Sequence, residues 1–227
     1  MTLWFATGNV HKKAELAAIL AGANIANELL IPKDAGLDFD PEETGASFLE
    51  NALLKARALY SLLNNGVSHP VWRPGDLVIA DDSGLCVDAL DGRPGIYSAR
   101  YRGKDTIDKF SRGGAKNAEF GDKLTSAERN ALLLEELGDA PHRSARFVCA
   151  MALLYSPDRF FAAQETCEGE IVKGQEFAKG TGGFGYDPIL YIPELGRTVA
   201  ELSDDEKNVI SHRGKAGKII AAVLLRG

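Results

Sequence analysis

The chain has 227 residues, 45% of them hydrophobic, enough to bury one sizeable core. A net charge of −6 leaves no global positive field, which argues against general binding to nucleic acid or to a membrane surface. No apolar run approaches the ~18 residues of a spanning helix, and the opening Met-Thr-Leu-Trp-Phe-Ala-Thr lacks the basic and apolar regions of a secretion signal. Cys86, Cys149 and Cys167 are odd in number, far apart and outside CxxC spacing, so they read as buried free thiols of a reducing, cytoplasmic compartment.

Leu3-Trp4-Phe5-Ala6 predicts a first strand and Thr7-Gly8-Asn9 a turn. Apolar positions 14, 16, 17, 19 and 20 predict a helix over 11–20. A second helix is expected over 47–63, because apolar residues recur there at helical spacing and Ser47 with Glu50 matches a capping box. Asn, Gly and Pro make 64–75 a loop. Leu77-Val78-Ile79-Ala80 reads as a short buried strand that ends in Asp81, Asp82 and a Ser83-Gly84 turn. Both acids would then stand at a strand C-terminus, where ligand crevices of open α/β sheets lie. Residues 91–121 are rich in glycine and charge, with 111–116 read as a mobile loop. A helix over 126–137 stops at Gly138, and strands 145–155 and 159–167 form a hairpin about Ser156-Pro157-Asp158. A glycine-rich loop fills 180–185 and a short strand 189–192; Ser203 with Glu206 forms another capping box, and the last helix covers about 214–225. Strands and helices interleave without a linker or repeat, which indicates a single α/β domain over 1–227, with two lobes around a cleft.

Adjacent carboxylates repel, and a divalent cation, a cationic substrate or nearby Lys/Arg relieves the repulsion. Side chains at 81 and 82 of a strand point to opposite faces. If Asp82 faces a ligand, Asp81 is left to orient backbone or a neighbouring cation. Residues 7–12 join a strand to a helix, where backbone amides bind anions and Gly8 permits close approach. An ordinary helix cap is the competing reading. Lys55 lies one turn after Asn51 on the polar side of its helix and is equally a solvated lysine; Glu42 and Glu43 precede that helix, where acids favour the dipole.

Residues 180–185 match GxGxxG by spacing, but Pro188 follows too closely for the helix that a dinucleotide fingerprint must open. A loop presenting Phe184, Tyr186 and Asp187 fits better, its ring suited to stacking on a flat base or to a place in the core. Lys207, Ser211, His212 and Arg213 gather donors that suit an oxo group or a phosphate. No Walker A, HExxH or GxSxG pattern occurs, and four scattered histidines argue against a histidine zinc site.

The motifs also come in a specific order. Thr-Gly-Asn-x-x-Lys stands at 7–12, Glu-Glu-Thr-Gly at 42–45, Phe-x-Glu-Asn-Ala-x-x-Lys-Ala at 48–56 and Ala-Asp-Asp-Ser-Gly-Leu at 80–85. Pro-Gly-Ile-Tyr-Ser-Ala-Arg-Tyr follows at 94–101, Gly-Thr-Gly-Gly-Phe-Gly-Tyr-Asp-Pro at 180–188 and Ser-His-Arg-Gly at 211–214. From residue 5 to the C-terminus this closely resembles the inosine/xanthosine triphosphate pyrophosphatase family. The resemblance implies an elongated mixed β-sheet flanked by helices, two lobes around a central substrate cleft, and a homodimer. It also implies Mg²⁺-dependent hydrolysis of purine nucleoside triphosphates (ITP, dITP, XTP) to the monophosphate and pyrophosphate. Thr7, Gly8, Asn9, Val10, His11, Lys12 and Lys55 would bind the triphosphate. Asp82 would be general base and metal ligand, joined by Glu42 or Glu43, with Ser83 beside the substrate. Phe184, Gly185, Tyr186 and Asp187 would line the base pocket, and Lys207, His212 and Arg213 would contact the base. Stretches 61–76 and 102–125 depart from the family pattern and carry none of these residues.

Three other readings compete. One is a pyrophosphatase for other modified or standard nucleotides. Another is a haloacid-dehalogenase-type phosphatase, which wants Asp-x-Asp where this chain has adjacent acids. The third is a non-catalytic nucleotide- or RNA-binding module, disfavoured because needless carboxylates beside a triphosphate weaken binding.

Overall fold

The structure, a computed structural model, describes residues 1–64, 72–103 and 124–226. The loop expected at 111–116, and residues 65–71 of the loop expected at 64–75, lie outside the described residues. The strands are β1 (Leu3–Phe5), β2 (Leu29–Leu30), β3 (Leu77–Val87), β4 (Ser144–Ser156), β5 (Arg159–Ile171), β6 (Leu190–Ile192) and β7 (Arg197–Thr198). They form one sheet in the order β2-β1-β3-β4-β5-β6-β7. The helices are α1 (Val10–Gly22), α2 (Phe48–Asn64), α3 (Ser126–Leu137), α4 (Asp204–Ile210) and α5 (His212–Leu224). β1 pairs in parallel with β2 and β3, whereas β6 pairs antiparallel with β5 and β7. This is the α/β class on a mixed sheet that the sequence predicts. No described helix is long and apolar enough to cross a membrane.

The chain divides into two compact units. The first comprises Met1–Ser83, Val148–Thr166 and Asn208–Gly227; the second comprises Gly84–Phe147 and Cys167–Lys207. In the first unit, successive strand residues fall into two different buried clusters. Leu3, Phe5, Leu77, Ile79, Met151 and Leu153 join Leu16 and Leu20 of α1 and Ala216 and Ile220 of α5. Trp4, Ala6, Val78, Ala80, Ala152 and Leu154 join Ala52, Ala56, Leu59 and Leu63 of α2. This is the two-residue period of a sheet covered on both faces.

That alternation corrects the expected end of β3. The strand does not stop at Ala80 but runs through the Ser83-Gly84 turn signal to Val87, so both acids lie within it. Ser and Gly only weaken a strand. Pairing with strands on both sides and near-complete burial outweigh them here. Asp81 keeps the parity of Leu77 and Ile79, toward α1 and α5. Asp82 keeps the parity of Val78 and Ala80, toward α2.

The helix ends follow local chemistry. Asn9 caps α1, its Oδ1 accepting from the amides of His11 at 2.9 Å and Lys12 at 3.3 Å. At α2 the expected box is half formed. Ser47 Oγ accepts from the Glu50 amide at 3.2 Å, but the Glu50 carboxylate accepts from Ala46 at 2.6 Å. The Ser203–Glu206 box closes in both directions. α5 begins at His212, ahead of the expected 214, because the Ser211 hydroxyl accepts from the Gly214 amide at 3.0 Å. β5 likewise continues past residue 167 to Ile171. In the second unit, α3 buries Asn130, Leu133, Leu134 and Leu137 and is capped by Thr125 and Glu128.

Candidate active site

In the first unit the two β3 acids each meet cations from the helix on their own face. Asp81 is 1% exposed. Its Oδ1 accepts from Lys12 Nζ at 3.0 Å, and its Oδ2 accepts from Arg213 Nε and Nη2, both at 3.1 Å. Arg213 also donates to Glu15 at 2.5 Å and Ser83 Oγ at 2.8 Å. Asp82 Oδ1 accepts from Lys55 Nζ at 2.9 Å, and Lys55 donates to Glu43 Oε1 at 2.8 Å. Asn51 holds the other Asp82 oxygen at 3.2 Å, while its own Oδ1 accepts from Gly45 at 2.9 Å. Lys55, which from sequence could be a solvated lysine, is a buried ion-pair partner.

The same β3 gives its two acids opposite electrostatics. Burial would raise the Asp81 pKa, but Lys12, Arg213 and Lys55 outweigh it and hold the carboxyl well below the usual range. Burial also dominates at Asp82 and, with the charge of Glu43, pushes its pKa up despite Lys55. Lys55 is itself desolvated, yet Asp82, Glu43 and Asp81 raise its pKa, so it stays an ammonium. The result is one fixed anion in a cation cage and one carboxylate with raised proton affinity beside a permanent positive charge. Cys149, whose thiol contacts Asp81 at 3.9 Å, is pushed up to about 12 by burial and is no thiolate at neutral pH.

Residues 7–12 form a capped turn. Thr7 Oγ1 accepts from the Asn9 amide at 3.1 Å, and Asn9 in turn takes the His11 and Lys12 amides. A side chain added at Gly8 would meet nothing described within 4 Å, and Val10 is 56% exposed.

In the second unit, residues 180–188 form a compact loop around Asp187. Its carboxylate accepts from the Phe184 amide at 2.7 Å and from Lys207 Nζ at 2.9 Å. Lys207 sits 4.9 Å from the centroid of the Phe184 ring, a cation–π contact. Gly183 has φ +69°, and a Cβ there would lie 1.9 Å from Asp187 Oδ2, so only glycine lets the loop close on this carboxylate. Tyr186 is buried and donates to the Ser98 carbonyl at 2.9 Å. A cavity of about 450 Å³ in this unit, lined in part by Arg143, Lys173, Phe177 and Tyr191, includes none of the residues named from sequence.

The family resemblance makes Lys207, His212 and Arg213 base contacts, and Lys207 lies with Phe184 and Asp187 in the second unit. Arg213 is 1% exposed, and its guanidinium binds Asp81, Glu15 and Ser83 of the first unit. His212 is buried at the start of α5. Gly214 of the same motif serves packing, since a Cβ would lie 2.1 Å from the Asn208 carbonyl. Of the two candidate metal acids, Glu43 shares Lys55 with Asp82, whereas Glu42 is exposed. Sequence reasoning missed Glu15 and the structural part of Asn51. The signal for Glu15 was its place one turn after Lys12 on α1.

No group of three or more His, Cys, Asp or Glu forms a metal cage among the described residues. Two carboxylate oxygens do converge, Glu43 Oε1 and Asp82 Oδ1, both within 3 Å of one ammonium nitrogen. That donor set suits Mg²⁺, which binds one or two carboxylates and completes its shell with water and phosphate.

Buried acids paired with lysine and arginine on a mixed α/β sheet define a charged candidate site of an α/β protein. The Ham1 family model matches residues 3–223. The chain is 44% identical over 216 residues to a dITP/XTP pyrophosphatase of Treponema denticola, covering 95% of this chain and 94% of that protein. It is 42% identical to the dITP/XTP pyrophosphatase of Shigella flexneri over 98% of this chain and 97% of that protein. A solved Ham1 protein from Coxiella burnetii is 35% identical with a TM-score of 0.75, and each chain is covered completely. The protein belongs to the Ham1 family.

Proposed function

We propose that this protein hydrolyses deaminated purine nucleoside triphosphates (dITP, XTP and ITP) to the nucleoside monophosphate and pyrophosphate. The observation that carries the reading is the Glu43–Lys55–Asp82 cluster, in a chain whose near-full-length relatives are named for dITP and XTP.

Water is a poor nucleophile at neutral pH. Asp82, with its raised proton affinity, takes a proton from the attacking water. The new bond forms to the α-phosphorus, the bond from that phosphorus to the bridging oxygen of the β-phosphate breaks, and pyrophosphate leaves. Lys55 and Lys12 balance the charge of the triphosphate, and Thr7 to Lys12 and Ser83 lie along it. The open space at Gly8 supports close approach of the phosphates. Mg²⁺, held by Asp82 and Glu43, would lower the pKa of water and neutralise phosphate charge when bound.

Phe184 stacks on the base, flanked by Gly185, Tyr186 and Asp187. Lys207, fixed by Asp187, donates to the 6-oxo group of hypoxanthine or xanthine. Adenine would set an amino donor against that ammonium and leave buried donors unpaired. His212 and Arg213 act from α5, Arg213 chiefly by holding Asp81 and Ser83 in place. The protein works in the cytoplasm as a homodimer. Its three free cysteines fit a reducing compartment, and light scattering tests the dimer.

The test is product analysis over ITP, XTP, dITP, GTP, ATP and dTTP, with and without Mg²⁺. Pyrophosphate from the first three, dependent on Mg²⁺, is expected. Release of orthophosphate, or equal turnover of GTP or dTTP, would overturn the reading.

A further inference from the structure

The loop that carries Phe184 and Asp187 is gripped from outside by α3 of the same unit. Asn130 Nδ2 donates to the Gly185 carbonyl at 3.2 Å. Gly185 has φ +67° and lies between Phe184 and Tyr186. A second grip comes from Glu136 of the same helix. Its carboxylate accepts from Arg93 and from Tyr101, which bracket the turn of residues 95–100. That turn presents the Ser98 carbonyl to the Tyr186 hydroxyl.

Asn130 is an odd choice for stability. It is 3% exposed, on a helix face otherwise formed by Leu133, Leu134 and Leu137. Its Oδ1 is buried and finds no hydrogen-bond partner among the described residues. Turning the amide round would set Oδ1 against the Gly185 carbonyl, so the donor is fixed on the loop. An orphaned buried acceptor costs stability, and a leucine of similar size would avoid that cost. Residues that break a local rule in this way gather where function demands them.

We propose that Asn130 is a positioning residue for base recognition: by holding the Gly185 carbonyl it sets the loop that aims Phe184 and fixes Asp187 beside Lys207. The inference rests on the base-binding role given to that loop under the proposed function. Lys12 and Lys55, which handle phosphate in that reading, belong to the first unit, and Asn130 and the loop to the second.

The test compares wild type, Asn130→Asp and Asn130→Leu as full-length proteins. Readouts are kcat and KM for ITP, inhibition by IMP, inhibition by pyrophosphate, and Tm. Asp at 130 faces the carbonyl with an acceptor, and Leu removes the donor without adding charge. Both variants are expected to raise the KM for ITP and the inhibition constant of IMP about ten-fold. Pyrophosphate inhibition and kcat should stay within about three-fold of wild type, and the Tm of the Leu variant should equal or exceed it. If Asn130→Asp does not fold, Asn130→Leu decides. Unchanged KM and IMP inhibition would overturn the inference, as would equal weakening of IMP and pyrophosphate, the mark of general loosening. A wild type that does not favour ITP over ATP would instead overturn the proposed function.

Discussion

Asp81 and Asp82 are neighbours on β3, yet different helices neutralise them. Asp81 is bound by Lys12 of α1 and Arg213 of α5, and Asp82 by Lys55 of α2. The strand's alternation assigns Asp81 to the cations of α1 and α5 and Asp82 to Lys55 and Asn51 of α2.

The two acids should therefore respond unequally to neutral substitution. The pKa of Asp81 is held down by its cations, so its ionised form stabilises the fold. Asp81→Asn takes the buried carboxylate from Lys12 and Arg213 and should cost about 3 kcal/mol in urea unfolding at neutral pH. The pKa of Asp82 is raised, so its own charge burdens the fold. That offsets part of what is lost when Asp82→Asn takes a partner from buried Lys55, and this variant should cost less than Asp81→Asn. Its kcat should nevertheless fall on the order of 100- to 10,000-fold. Near-normal turnover in Asp82→Asn would remove it as the base.

Lys55→Met takes the shared cation from between Glu43 and Asp82. Thermal unfolding in chelator should show a lower Tm than wild type. Added Mg²⁺ should raise the Tm of the variant more than that of wild type, because the ion enters between two carboxylates that have lost their ammonium. Equal responses to Mg²⁺ would show that these oxygens do not share a metal.

Gly183→Ala places a methyl group where Asp187 Oδ2 now lies, on a backbone with φ +69°. Asp187 must then leave the Phe184 amide or Lys207. The KM for ITP should rise about ten-fold with kcat little changed. A variant with wild-type KM would argue against the loop as the base site.

Glu206 ties the start of α4, the helix of Lys207, to Ser203 and Arg197. Arg197 and the Ser203 bonds lower its pKa from 4.5 to about 2. A depressed folded pKa means stability that is present above 4.5 and lost as pH falls toward about 2. Glu206→Gln should lower Tm at pH 7, and the gap to wild type should shrink over that window. A gap that stays constant down to pH 2 would exclude this linkage.

Much of the framework was legible because its causes are local. α3 was expected over 126–137 with its stop at Gly138, and the two buried strands β1 and β4 follow from apolar runs. The end of β3 was misread because Ser83-Gly84 is a real turn signal that flanking strands override. Lys55 was ambiguous because helical spacing does not show that its polar face is covered. The pairing of Arg213 with Asp81 and Glu15 was not legible, because four adjacent donors in sequence do not reveal which acid each one meets.

The sequence by itself determined the longer helices and strands, the Ser203–Glu206 cap and the order of the motifs, since these depend on periodicity and on contacts a few residues apart. Only the tertiary structure decided the ion pairing. Lys12 lies 69 residues from Asp81 and Arg213 lies 132 from it, yet both come within about 3 Å of its carboxylate. Charge attraction of that strength acts through space, and which charges meet is set by which face of the sheet each helix covers.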